Sequence, residues 1–107
     1  MQLLTIITPL CADKLRALYA DEQFVPFVDA SPVAEVRAAY LAGLGDIGMN
    51  GQLLNRTYAS RCFIGEIVTT AALEPSRRAA PLCTRCGRCI AACPTGALRP
   101  DGFDRAL

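Results

Sequence analysis

Six cysteines stand in this sequence, and four of them share one short stretch: Cys83-Thr-Arg-Cys86-Gly-Arg-Cys89-Ile-Ala-Ala-Cys93-Pro94. The spacing is C-x2-C-x2-C-x3-C-P, a run suited to holding an iron–sulfur cubane by its thiolates. Two x2 loops bend the chain so that three thiolates converge on one face, near three corners of a cube. Backbone N–H groups in such tight loops can point at the cluster sulfurs and offset the cluster's negative charge. The x3 step begins a helical turn and aims Cys93 away from the first three. Pro94, with no N–H and a fixed φ, redirects the chain directly after that thiolate.

Other thiol chemistry fits less well. Structural zinc usually takes two C-x2-C pairs across a longer spacer, or cysteine–histidine sets, and there is no histidine. A disulfide framework belongs to a secreted context, which the N-terminus does not supply. Bacterial two-cluster ferredoxins use the same run, and in them its fourth cysteine ligates the other cluster, which draws its remaining ligands from a second run. No second run occurs within the 107 residues. Cys11 and Cys62 are isolated and read as small buried hydrophobes, with a missing cluster ligand as the alternative.

The elements that must position the run are short. Leu3–Thr8 is an apolar, β-branched stretch ended by Pro9, which predicts a buried strand. Asp13–Ala20 predicts a short helix with Leu15, Leu18 and Tyr19 on one face. Phe24–Val28 is extended, and Pro26 suits an edge strand. Ser31 as N-cap and Pro32 at N1 predict a helix start, with Glu35 in the positive first turn and Gly43 closing the helix. Leu53-Leu54 is a short apolar piece, and Asn55–Ser60 a turn. Cys62–Thr70 is the best strand pattern, with Gly65 allowing a close approach. Glu74–Pro81 is a polar connector to the cysteine run, and Gly96-Ala97-Leu98 turns towards the tail.

Between helix and strand, Gly43-Leu44-Gly45-Asp46-Ile47-Gly48 matches G-x-G-x-x-G literally. A dinucleotide fingerprint must follow a strand and open a helix. This one follows a predicted helix, so the glycines indicate tight backbone packing instead. Asp29, between a strand and a helix start, suits a turn or capping carboxylate. In a pocket it would instead serve proton transfer.

With 52% apolar and 20% charged residues the chain can bury a modest core. The net charge of +1 hides an uneven distribution. Residues 1–55 carry three bases against six acids, whereas residues 56–99 carry seven arginines against Glu66 and Glu74. The scatter of those arginines suits a solvated surface balancing an anionic cluster more than a nucleic-acid face. The opening apolar stretch lacks a basic region and is shorter than the ~20 residues of a membrane span. The thiol content indicates a reducing cytoplasm.

Several segments in order resemble the epoxyqueuosine reductase family, whose members act in the last step of queuosine synthesis in tRNA. They are Val28-Asp29-Ala30-Ser31-Pro32-Val33, Ala42-Gly43-Leu44-Gly45-Asp46-Ile47-Gly48-Met49-Asn50, Phe63-Ile64-Gly65-Glu66-Ile67-Val68-Thr69, and the cysteine run through Thr95-Gly96-Ala97-Leu98. The resemblance implies a 4Fe-4S double-cluster binding domain and cobalamin. Asp29 would be the proton donor, Gly43, Leu44, Gly45, Gly48 and Asn50 would line cobalamin, and electrons would pass singly through the clusters to cobalt. It also implies tRNA as substrate and a ferredoxin or flavodoxin as electron donor, with neither membrane nor DNA as partner. Asp46 and Met49 depart from the family, which usually has tryptophan and lysine there.

The resulting expectation is a small α/β (α+β) core over residues 1–74, resembling part of the family's cobalamin and substrate domain. Residues 75–107 would be half of a bacterial ferredoxin-like module, its second cysteine run lying beyond residue 107. Cys83, Cys86, Cys89 and Cys93 would ligate metal in an oxidoreductase. The alternatives are a non-catalytic electron-transfer subunit, a truncated inactive relative, and a zinc-binding module.

Overall fold

The computed structural model describes residues 2–29 and 32–107, residues 2–6 by their backbone alone. It begins with one long helix, α1 (Gln2–Leu18), that carries Pro9 inside it. The expected strand over Leu3–Thr8 and the separate helix over Asp13–Ala20 are therefore corrected to a single helix. Thr8 and Ala12 are buried and Leu15 is half-buried, a 3.6-residue stripe that strand alternation could not place on one side. Pro9 removes one backbone donor and costs the helix locally. The packing of α1 along the strands that follow outweighs that cost.

Those strands are β1 (Phe24–Val28) and β4 (Gly65–Thr69), antiparallel, with Phe24 opposite Thr69 and Val28 opposite Gly65. In a two-stranded ladder each strand is an edge, which is where Pro26 is tolerated. Phe24 is the anchor: it is 2% exposed, lies against Tyr19 with ring centroids 6.0 Å apart, and its carbonyl accepts from Arg16 of α1. The long strand expected over Cys62–Thr70 shortens to the five residues of β4.

Helix α2 (Glu35–Leu41) starts at Glu35 with Ala34 as N-cap and no side-chain cap. The expected N-cap Ser31 lies outside the described residues, and Pro32 precedes the helix instead of opening it. Gly43 does close it: at φ +80° it takes the left-handed conformation after the C-cap, and its N–H donates to the Tyr40 carbonyl at 3.1 Å. A small antiparallel hairpin follows, β2 (Asp46–Ile47) with β3 (Leu53–Leu54). The polar connector before the cysteines has neither helix nor strand. The cysteine run contains the short helix α3 (Arg88–Ala91) and leads to a hairpin of β5 (Leu98–Arg99) with β6 (Gly102–Phe103). All named strand pairs are antiparallel, so the mixed fold is α+β in kind.

Candidate metal centre

Cys83, Cys86 and Cys89 line one cavity of about 300 Å³, together with Leu82, Thr84, Arg88 and, from the other side, Gly48, Met49, Asn50 and Leu54. The loop that carries them is bent by Arg85 at φ +57° and Gly87 at φ +79°. Left-handed residues at these points turn the chain sharply enough for each x2 step to bring the next cysteine back to the same side. Gly87 then serves as N-cap of α3. No three cysteine, aspartate or glutamate side chains among the described residues already close into a ligand set.

Of the three, Cys86 is prepared for ionisation. The Arg88 backbone N–H holds the Cys86 thiol below its ordinary value, with the Thr84 hydroxyl and the Arg88 charge acting in the same direction. The donor set is three cysteine sulfurs in a basic loop, around a cavity with no competing carboxylate in its wall. Those properties fit an anionic iron–sulfur cluster.

Cys93 does not line that cavity. Its sulfur accepts from the Leu98 backbone N–H at 3.4 Å and lies 3.8 Å from the Thr95 hydroxyl. These donors, the Leu98 amide first, lower its thiol to about 7. The x3 step thus separates Cys93 from the other three as expected. Cys11 is exposed, which corrects its reading as a buried hydrophobe, and half-buried Cys62 lies 3.9 Å from the Ala59 carbonyl, outside the cavity.

Reasoning from sequence missed the residue that fastens this loop. The Oδ2 of Asp46 accepts from the backbone N–H groups of Leu82, at 2.8 Å, and Cys83, at 2.9 Å, while Oδ1 accepts from Ile47 at 2.8 Å. The Cys83 and Leu82 amides hold its carboxyl below the usual carboxylate range. The Leu82 and Cys83 amides are thereby committed to one carboxylate oxygen. An acidic residue within an otherwise glycine-rich and apolar segment was the available signal.

The glycines before it pack against the chain itself. A Cβ on Gly43 would lie 2.1 Å from the Arg77 carbonyl oxygen, and one on Gly45 2.3 Å from that of Leu54. Gly43, Leu44 and Gly45 border a separate cavity of about 250 Å³, whereas Gly48 and Asn50 belong to the cysteine cavity. The five residues assigned to cobalamin are thus divided between two surfaces.

Asp29 is exposed at φ +63°, a strained conformation for a non-glycine residue. It borders an open cavity of about 550 Å³ with Val33, Glu35, Arg37 and Gly51. Burial, then the charges of Glu66 and Asp29, raise the Glu35 carboxyl above its ordinary value. Glu35 Oε1 and both Glu66 oxygens are buried without a hydrogen-bond partner among the described residues. This acidic group also went unnoticed in the sequence, although Glu66 interrupts an apolar strand.

Residues 81–99 match the family described as a 4Fe-4S binding domain. An epoxyqueuosine reductase from Synechocystis sp. is 45% identical over 92 residues, 79% of this chain and 32% of that protein. The structure of epoxyqueuosine reductase from Streptococcus thermophilus superposes with a TM-score of 0.88 at 30% identity, over 95% of this chain and 28% of the other. A further epoxyqueuosine reductase, crystallised with an epoxyqueuosine-modified tRNA stem loop, gives a TM-score of 0.76 at 27% identity, over 92% of this chain and 28% of the other. The chain thus spans about a third or less of the relatives it matches. In sequence and in fold it is an epoxyqueuosine reductase-like protein with a 4Fe-4S binding domain, corresponding to part of the length of those relatives.

Proposed function

We propose that this chain is the cluster-bearing portion of an iron–sulfur reductase of the epoxyqueuosine reductase type. Cys83, Cys86 and Cys89 bind one cubane, and Cys93 serves a second cluster whose other ligands come from elsewhere. The observation that carries the reading is the separation itself: three cysteines share one cavity while Cys93 faces the Leu98 amide. Residues 1–74 form the substrate side of the site, and residues 75–107 the cluster side.

Cobalamin, when bound, supplies a cobalt centre that accepts electrons singly. Gly48 and Asn50 are the residues best placed to face it, since they border the cysteine cavity. Gly43 and Gly45 have their open faces taken by carbonyls of the chain, and a Cβ on Gly48 would lie 2.7 Å from Asn50 Oδ1, so Asn50 is the polar side chain of the loop that borders the cavity. Asp29 donates the proton to the reduced substrate from its strained position beside the open cavity. An epoxide-bearing tRNA nucleoside as substrate is supported by the tRNA-bound relative. A small ferredoxin or flavodoxin is the electron donor, and exposed Cys86 leaves the cluster close to the surface for that exchange.

Anaerobic reconstitution with iron and sulfide, followed by iron counting and EPR of the reduced protein, tests the reading. About four irons and the signal of a reduced cubane are expected. A colourless protein that takes zinc and no iron refutes it. Titrating cob(II)alamin into the loaded protein separates the reductase from a simple electron carrier, since only the reductase changes the cobalamin spectrum.

A further inference from the structure

We propose that Asp46 is a positioning residue for the cluster: an anionic strut that fixes the Cys83 backbone and keeps the cluster's reduction potential low. The inference rests on the cluster reading above, but it concerns a residue at which this chain departs from the pattern of the family it resembles.

Three observations carry it. Asp46 sits in β2, whose backbone is held opposite Leu54 of β3, so its carboxylate projects from a paired strand and not from a free loop. Gly45 packs directly against the Leu54 carbonyl, and Leu54 in turn forms part of the cysteine cavity wall. From that platform one oxygen accepts from both the Leu82 and the Cys83 amides, across 36 and 37 positions of sequence. Within residues 71–87 the chain has neither helix nor strand, so this pair of bonds is what orients the first cysteine before any metal arrives.

Two consequences follow for a bound cluster. Fixing Leu82 and Cys83 in advance removes conformational freedom that cluster assembly would otherwise have to remove. The same bonds also place a carboxylate directly behind the backbone of a ligand. Hydrogen bonds to sulfur and net charge both set the potential of such clusters. One more negative charge beside the cluster favours the oxidised form.

The test compares the full chain with Asp46→Asn and Asp46→Glu. Asparagine is nearly isosteric but neutral, and it cannot present oxygen acceptors to Ile47 and to the Leu82–Cys83 pair at once. In the metal-free proteins, amide hydrogen exchange at Leu82 and Cys83 is expected to be faster in Asp46→Asn, with β4 amides unchanged as the check on folding. After anaerobic reconstitution, a dithionite titration followed by EPR is expected to show a higher midpoint potential in Asp46→Asn. Asp46→Glu, which keeps the charge, should stay nearer the wild type. If Asp46→Asn does not fold, Asp46→Glu decides: a midpoint raised clearly above that of the wild type overturns the charge argument. A loaded Asp46→Asn protein with wild-type potential and wild-type exchange overturns the inference while leaving the cluster intact. A wild-type chain that binds no iron overturns both this inference and the reading beneath it.

Discussion

The cysteine side chains are not equivalent, and that difference can be measured. Cys83, Cys86 and Cys89 border the cavity and Cys93 does not. Replacing any of the first three with alanine is expected to lower iron retained after reconstitution several-fold. Cys93→Ala should change it far less, and equal losses at all four would mean a single cluster held by all of them. Asp29 offers a different measurement, because its φ of +63° costs a non-glycine residue about 1–2 kcal/mol. Asp29→Gly recovers part of that against the greater freedom of glycine in the unfolded chain, giving a net gain of about 0.5–1 kcal/mol in urea unfolding. A gain in stability joined to a loss of the proposed reductase turnover would mark the strain as functional. No gain would mean the conformation is unstrained.

Among the elements, the glycine loop and the β2–β3 hairpin hold the frame on which the cysteine loop rests. Gly45→Ala would put a Cβ 2.3 Å from the Leu54 carbonyl oxygen, and β2 and β3 would have to separate. The expected cost is about 1–3 kcal/mol, with faster exchange of the Cys83 amide because Asp46 moves with the hairpin. Gly51→Ala is the control: its φ is +75° but its Cβ would meet nothing within 4 Å, so only the backbone cost of about 1–2 kcal/mol applies and the Cys83 amide stays protected. Phe24→Ala tests the other end, where the largest fully buried side chain among the described residues lies against Tyr19. A loss of about 3–5 kcal/mol is expected in chemical denaturation.

At the scale of the whole molecule, the chain is open. Its accessible surface is 8134 Å², against about 5,800 Å² for a compact protein of this mass. Its radius of gyration is 16.3 Å, against about 13 Å. Leu18, Phe63 and Phe103 are each more than 60% exposed. With few buried side chains among the described residues, a bound cluster would add to the stability of the cysteine half by cross-linking it. Thermal melting followed by circular dichroism should therefore show a clear rise in Tm on reconstitution, reversed by an iron chelator after oxidation. A Tm indifferent to loading would mean that the loop is already fully ordered. No helix among the described residues is long and apolar enough to cross a membrane.

The sequence by itself pointed to a 4Fe-4S binding domain, because ligand type and spacing are local properties, and residues 81–99 match that family. It also located β1, the heart of β4, and the glycine that closes α2, since each rests on neighbouring residues. It misread Leu3–Thr8, where β-branched residues favoured a strand and only packing against β1 and β4 makes the helix the better solution. The tertiary structure alone decided what the glycine loop lies against, because Arg77 and Leu54 are remote in sequence from Gly43 and Gly45. It alone decided that Asp46 reaches the first cysteine. That bond depends on two segments 37 positions apart meeting through a hairpin whose pairing no local pattern specifies.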